Sequence, residues 1–220
     1  VEFSVTVNET NSAPEIGRID DHNIDEGDTL TLQFLPLVTD ADIPVQDLFF
    51  SLDAGAPTGA AIHPETGEFT FTPTEEQGPG VYDVTVRVAD DFGDDDTTTF
   101  QITVGEVNLA PTITPITDKI AVVGEQFSLT AQASDPDLPE NTLVFSLAEG
   151  APAGMEIDPD TGLLTWTPDE TVANQSFEVT VLVSDGVADP VSTTFNVVAQ
   201  TVPVAPVIDP VEDKTIDELS

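Results

Sequence analysis

The sequence predicts an all-β protein built from tandem β-sandwiches, and three observations carry that prediction. A block of about a hundred residues recurs along the chain. Apolar and polar residues alternate over its longer segments, the period that puts one face of a strand inward. Clusters of Pro, Gly and Asp interrupt these segments roughly every 8–12 residues, as in a sandwich. No segment carries a helical period.

The repeat is legible from its ends. NSAPEI at 11–16, NLAPTI at 108–113 and PVAPVI at 203–208 share an Ala-Pro-x-Ile core. Their alanines stand at 13, 110 and 205, so the spacings are 110 − 13 = 97 and 205 − 110 = 95. FSVTV from Phe3, FQITV from Phe100 and FNVVA from Phe195 form the matching endings. These landmarks divide the chain into the last strand of a preceding repeat (1–11), a first repeat (12–108), a second (109–203) and the start of a third (204–220). A chain cut this way reads as a piece of a longer array.

Within each repeat the strands follow in the same order. Leu48, Phe50 and Leu52 alternate, as do Leu143, Phe145 and Leu147; Tyr82, Val84, Val86 and Val88 are matched by Phe177, Val179, Val181 and Val183. IHPETGEFTFTP at 62–73 matches IDPDTGLLTWTP at 157–168, and the turns inside them need positive φ, supplied by Gly67 and Gly162. Trp166 aligns with Phe71 and is expected in the core rather than exposed as a sugar platform. Phe49, out of phase with Leu48 and Phe50, is expected at the surface. The first repeat carries two extra residues around QFLPLV at 33–38, where Pro36 suggests a bulge or an edge strand. His22 and His63 are replaced by Lys119 and Asp158 in the second repeat, so both are expected to be exposed and outside any repeated site.

Charge narrows the function. The 220 residues include 4 Lys+Arg and 42 Asp+Glu, a formal net charge of −38, which excludes nucleic-acid binding through phosphate neutralisation and disfavours anionic membranes. Cations, cationic partners or a solubility role in salty media are left. With 39% hydrophobic residues the chain still forms cores. No Cys is present, so stability comes from packing or bound ions. No apolar run is long enough to span a membrane.

The acids are placed, not merely abundant. Asp40 and Asp42 recur as Asp135 and Asp137, Asp90 recurs as Asp185, and Asn11 recurs as Asn108, each Asn preceded by a Glu (Glu9 and Glu106). Glu26 stands early in the first repeat and Glu75 between its later strands. One Asp-Pro-Asp alone reads as a turn. The whole set recurring at matched positions, all oxygen with no His or Cys, suits a hard cation such as Ca²⁺. The acidic run DDFGDDD from Asp90 to Asp96 is expected to be a solvated loop or a high-salt adaptation.

These residues carry a resemblance. The linker Asn before Ala-Pro, the Asp-x-Asp pair, the Asp after the long strand and the early Glu-Gly resemble the calcium framework of the cadherin family. The P-x-T-G…W-T-P segment is similar to the dystroglycan-type cadherin-like and immunoglobulin-like repeats of large bacterial surface adhesins. The resemblance implies tandem immunoglobulin/cadherin-like Greek-key β-sandwiches with Ca²⁺ held where successive repeats meet. Carried over, it assigns Glu26, Glu75, Glu106, Asn108, Asp135, Asp137 and Asp185 to one metal centre, and Asn11, Asp40, Asp42 and Asp90 to another. Gln77 stands where the family has a second acid, and the linker is one residue shorter, which leaves the number of ions open. In the second repeat Glu26 becomes Val123 and Asn108 becomes Pro203, so its far end is expected to bind calcium weakly or not at all; Glu26's further counterpart is Glu218.

The resemblance implies a Ca²⁺-rigidified, extracellular or cell-surface stalk for adhesion, with a glycan, a matrix polymer or neighbouring copies as partners and no catalytic residues. Two like charges about 4 Å apart repel by ~4 kcal/mol at an effective dielectric of 20, and a divalent ion reverses that sign. A carbohydrate-binding module, or a non-catalytic appendage of a polysaccharide-degrading enzyme, is the alternative. A filament subunit joined by strand complementation through the partial ends is another.

Overall fold

The computed structural model describes residue 4, residues 10–43 and residues 45–202. The expected strand of a preceding repeat lies almost wholly outside the described residues, and the expected start of a third lies entirely outside them. Glu9, Pro203 and Glu218 are outside as well.

The described chain is all-β and forms two compact units. The first is Val1–Leu109 with Pro136–Asn141, the second Ala110–Asp135 with Thr142–Ser220. In the first unit the strands are β1 (Glu15–Ile16), β2 (His22–Asp25), β3 (Leu30–Gln33), β4 (Val38–Thr39), β5 (Phe49–Leu52), β6 (Ala61–Ile62), β7 (Glu68–Phe71), β8 (Gly80–Ala89) and β9 (Asp95–Gly105). In the second they are β10 (Thr112–Ile113), β11 (Lys119–Val122), β12 (Phe127–Thr130), β13 (Ala133–Ser134), β14 (Val144–Leu147), β15 (Glu156–Ile157), β16 (Leu163–Trp166), β17 (Ser176–Ser184) and β18 (Val191–Gln200).

Both units have one topology. A four-stranded sheet runs β2-β9-β8-β5 in the first and β11-β18-β17-β14 in the second, opposed by β3-β7-β6 and β12-β16-β15, with β1-β4 and β10-β13 as short pairs. β2 and β11 run parallel to their neighbours β9 and β18, while the other pairs are antiparallel. This is a Greek-key β-sandwich.

Alternation explains the layers. On β8, Val84, Val86 and Val88 are buried; on β9, Phe100, Ile102 and Val104 face the same core, with Val84 opposite Phe100. The second unit repeats this with Val179 opposite Phe195. Each such side chain contributes about 1.5–3 kcal/mol by leaving water. Phe49 is exposed and Trp166 is buried, as their phase in the sequence predicts. Phe34, Phe69 and Phe100 form an aromatic trio in the first core, with Phe69 edge-on to both others and Phe34 tilted against Phe100. Its counterparts are Ala131, Leu164 and Phe195, and the second unit fills its core with Trp166 and Met155 where the first has Phe71 and Ala60.

The turn before β7 needs its glycine twice over. Gly67 has φ +64, and a Cβ there would lie 2.9 Å from the Leu35 amide nitrogen. Gly162 repeats this at φ +65 against the Ala131 carbonyl.

Three sequence expectations are corrected. Pro36 lies in neither a bulge nor an edge strand but in a one-turn 3-10 helix, Leu35–Leu37. Its fixed φ suits such a turn, and its missing N–H is not required there. The Phe34 amide bonds to the Gly67 carbonyl and the Gly17 amide to the Leu37 carbonyl, as Ala131 bonds to Gly162 and Thr114 to Gln132. The two extra residues are therefore Leu35 and Pro36, looped out between bonds that both repeats make. His22 is half-buried rather than exposed, its ring edge-on to Phe100 at 6.0 Å, because its position on β2 faces the sheet's aromatic side. The DDFGDDD segment is only partly solvated. Asp90 is buried, Asp95 and Asp96 belong to β9, and Asp96 accepts the Ile16 amide.

Candidate metal centre

The turn after β2 presents Glu26. Its amide donates to the Gly105 carbonyl at 3.1 Å, and the next amide, of Gly27, donates to the Pro73 carbonyl at 2.9 Å. The side chain is thereby turned inward and is only 8% exposed. Oε1 accepts the Val107 amide at 3.1 Å; Oε2 is buried and receives no hydrogen bond. A buried carboxylate oxygen without a donor is costly unless something else satisfies it.

Glu75 opens a one-turn 3-10 helix, Glu75–Gln77, closed by a capping box between Thr74 and Gln77. The Tyr82 hydroxyl donates to the Gln77 carbonyl at 2.8 Å and fixes the turn. Gln77, standing where the family pattern has an acid, accepts the Thr74 amide and donates to the Thr58 carbonyl at 3.0 Å. Its side chain is committed to holding the turn. Glu75 Oε1 accepts the Leu138 amide at 2.8 Å. Glu106 follows directly on β9.

One carboxylate oxygen from each of Glu26, Glu75 and Glu106 lies within 4.8 Å of the others. Desolvation, then the charges of Glu26, Glu75 and Asp137, and last the hydrogen bond that protonated Glu106 makes with Glu26, raise the Glu106 pKa above its ordinary value. Among the described residues the ion pairs are those of Arg87 with Asp53 and Asp95, so no Lys or Arg pairs with these glutamates.

Asp137 is almost fully buried, with 1% exposed. Both its oxygens face the Leu109 amide, at 3.0 and 3.1 Å, and Oδ2 also accepts from Asn141 Nδ2 at 3.1 Å. The same Asn141 amide donates to Asn108 Oδ1 at 3.0 Å. Within the second unit, carboxylate oxygens of Asp135 and Asp185 lie within 4.8 Å of one another. Asp185 is held in its turn by the Val187 and Ala188 amides, both at 2.9 Å.

The residues at the start of the first unit repeat this bonding. Asp42 accepts the Ser12 amide at 2.9 Å, and the Asp42 amide donates to Asp40 at 2.9 Å. Asn11 Nδ2 donates to Asp90 at 2.8 Å and to Asp94 at 2.7 Å. Gln46 Nε2 bridges Asn11 Oδ1 and Asp42. Desolvation works against the Asp90 carboxylate but is outweighed by Asn11 and by the Phe92, Asp94 and Gly93 amides, so its pKa is lowered.

The structure thus gathers Glu26, Glu75 and Glu106 in the first unit, sets Asp135 beside Asp185 in the second, and ties Asn11, Asp42 and Asp90 through side-chain bonds. Sequence reasoning passed over Gln46, Asn141 and Asp94. The signal for the first two was present: 46 + 95 = 141, and each amide side chain follows the second aspartate of its pair by four residues. The donor set is all oxygen, and the orphaned Glu26 Oε2 is a position a hard divalent cation would satisfy. A cavity of ≈ 270 Å³ lined by Glu26, Thr74, Glu75, Val107 and Leu109 adjoins it.

Residues 110–200 match the family described as Putative Ig domain, and residues 20–105 match the family described as Long Rib domain. Among solved structures the chain is similar to mouse cadherin-23 EC22-24, with a TM-score of 0.53, 22% identity, and coverage of 91% of this chain and 67% of that one. Each unit thus has the fold of a cadherin-type, immunoglobulin-like sandwich. Drosophila N-cadherin EC1-4 is similar at a TM-score of 0.55 and 16% identity, over 88% of this chain and 50% of that structure. Protocadherin Gamma B2 domains 3-6 give 0.52 and 14% over 86% and 52%. The chain therefore spans about half the length of the last two structures. At these identities the likeness establishes the fold. No curated protein matches the chain. Among the described residues no helix is long and apolar enough to cross a membrane.

Proposed function

We propose that the cadherin-like repeats bind Ca²⁺ and serve as a calcium-stiffened stalk in a large secreted or surface-anchored microbial adhesin. The observation that carries this reading is Glu26: a buried carboxylate with an unsatisfied oxygen, grouped with Glu75 and Glu106 and, among the described residues, with no basic residue paired to them. One ion is assigned to Glu26, Glu75 and Glu106, and a second to Asp135, Asp137 and Asp185, with Asn108 supplying a further oxygen. Asn11, Asp40, Asp42 and Asp90 are assigned to the equivalent centre at the start of the first repeat.

Empty, these groups repel one another and favour disorder of the segments that carry them. Filled, they become mutual ligands, and loops from successive repeats are tied to one ion. Extracellular calcium modules bind at about 0.1–1 mM, so such a stalk is stiff outside the cell and loose in a chelator. Projection of an adhesive domain toward a glycan, a matrix polymer or a second copy is the role this stiffness serves.

Calorimetric titration of the chelated chain with CaCl₂, paired with small-angle scattering, tests the reading. The expected result is saturable heat and a narrower distribution of chain dimensions with calcium. No heat and superimposable scattering in about 10 mM calcium and in EDTA would refute it, since that concentration exceeds the expected dissociation constant at least tenfold.

A further inference from the structure

Glu26 is oriented from two sides. The Val107 amide holds Oε1 on one side; on the other stands Gly78, a buried residue that ends the turn carrying Glu75. A Cβ on Gly78 would lie 2.1 Å from Glu26 Oε2, 2.9 Å from its Cδ and 3.0 Å from the Gly105 carbonyl oxygen. The backbone does not demand glycine here, because φ −101 and ψ 143 are open to any residue. The demand is for space, and the space is filled by the carboxylate of Glu26.

The second repeat supports this by contrast. There Glu26 is replaced by Val123 (26 + 97) and Gly78 by Ala173 (78 + 95). The acid and the room for it are absent together. Glu106 becomes Thr201 at the same end (106 + 95), whereas Glu75 keeps its acid as Glu170 (75 + 95). The acid of the turn is kept in both repeats, whereas the Glu and the Gly behind it occur together only in the first.

We infer that Gly78 is a positioning residue that seats the Glu26 carboxylate in the cation site, and that the presence of a side chain at this position decides whether a repeat end accepts a calcium ion. The inference rests on the calcium reading above, but its steric half does not depend on an ion. Any Cβ at 78 displaces Oε2 from the place it now holds, and the site's most enclosed carboxylate loses its present orientation.

A double-mutant cycle on the full chain tests it with G78A, E26A and the double variant. In EDTA, G78A should lower the melting temperature of the parent and do so less in the E26A background, where the carboxylate is gone. In calorimetric titrations with CaCl₂, G78A should weaken binding at least tenfold, and the double variant should bind no more weakly than E26A. Calcium binding by G78A equal to that of the parent, or losses that multiply in the double variant, would overturn the inference. If the parent itself takes up no calcium, the calcium reading falls. The melting cycle then still decides the contact, because equal drops in both backgrounds would sink it. A converse pair in the second repeat does not depend on how well G78A folds: V123E should be better tolerated with A173G than alone, and no difference between them counts against the steric claim.

Discussion

The Leu109 amide nitrogen lies 3.0 and 3.1 Å from the two carboxylate oxygens of Asp137, and the Ser12 amide repeats the contact with Asp42 at 2.9 Å. The second aspartate of each pair therefore fixes the residue after the linker asparagine before any ion is considered. Charge-assisted bonds of this kind contribute about 1.5–3 kcal/mol each. An aspartate so placed holds a backbone and offers oxygens at once, which is why the pair is not interchangeable with an ordinary turn.

Replacing Asp137 by Ala should consequently destabilise the chain even in EDTA. Loss of the carboxylate leaves the Leu109 amide and the Asn141 amide without that acceptor, and a fall on the order of 10 °C is expected for a sandwich of this size. Differential scanning calorimetry in chelator checks this. An unchanged transition would show that the contact adds nothing to the folded state.

The pH dependence of the chelated protein should carry the mark of Glu106. Its pKa is raised in the fold, first by desolvation and then by Glu26, Glu75 and Asp137. Between its ordinary and raised values the folded state holds more protons than the unfolded one, so this group's contribution to stability falls as pH rises through that window. Acidifying from neutrality toward the ordinary glutamate value should therefore relieve strain at Glu106, and E106Q should flatten that part of the curve. Thermal melts of both proteins across this pH range, in EDTA, make the comparison.

Much of this was legible in the sequence because it depends on periodicity. Val84, Val86 and Val88 announce their face by alternating, and Gly67 announces its turn by recurring as Gly162. The acids were legible for the same reason: Asp135 and Asp137 recur with Asp40 and Asp42 at fixed offsets. What escaped was decided by tertiary contacts. His22 carries no sign in its neighbours that its strand will lay it against Phe100. Gly78, outside any positive-φ turn, looks dispensable until Glu26 is seen to occupy its missing Cβ. Asp94 sits in an acidic run that composition assigns to solvent, and only the folded chain brings Asn11 to it.

The two cores should fail independently when one of them is truncated. Phe34 is fully buried in the first and Trp166 nearly so in the second, and aromatic-to-Ala changes at such sites cost about 3–5 kcal/mol. Chelated F34A should lose stability in the first sandwich while the indole of Trp166 reports an undisturbed second one. W166A should do the reverse, with first-sandwich amides keeping their protection in hydrogen exchange. A common loss of protection in both sandwiches from either change would show that they unfold as one cooperative body.

Deletion of Leu35 and Pro36 together should be tolerated, and the bonds on either side say why. The Phe34 amide reaches the Gly67 carbonyl at 2.9 Å and the Gly17 amide reaches the Leu37 carbonyl at 2.9 Å, both with counterparts in the second repeat, which has no such insertion. The deleted residues are exposed, so little buried apolar area is lost. Apart from the Leu37 carbonyl that holds the Gly17 amide, the one-turn helix they form is bonded internally, through the Leu37 amide to the Phe34 carbonyl and the Val38 amide to the Leu35 carbonyl. Surface changes away from caps, cores and networks usually fall within about 0.5 kcal/mol, so a shift of a few degrees in the melting temperature is expected. A collapse of the first sandwich on deletion would mean that the insertion supports Phe34 against Phe69 and Phe100, rather than looping out between bonds that hold without it.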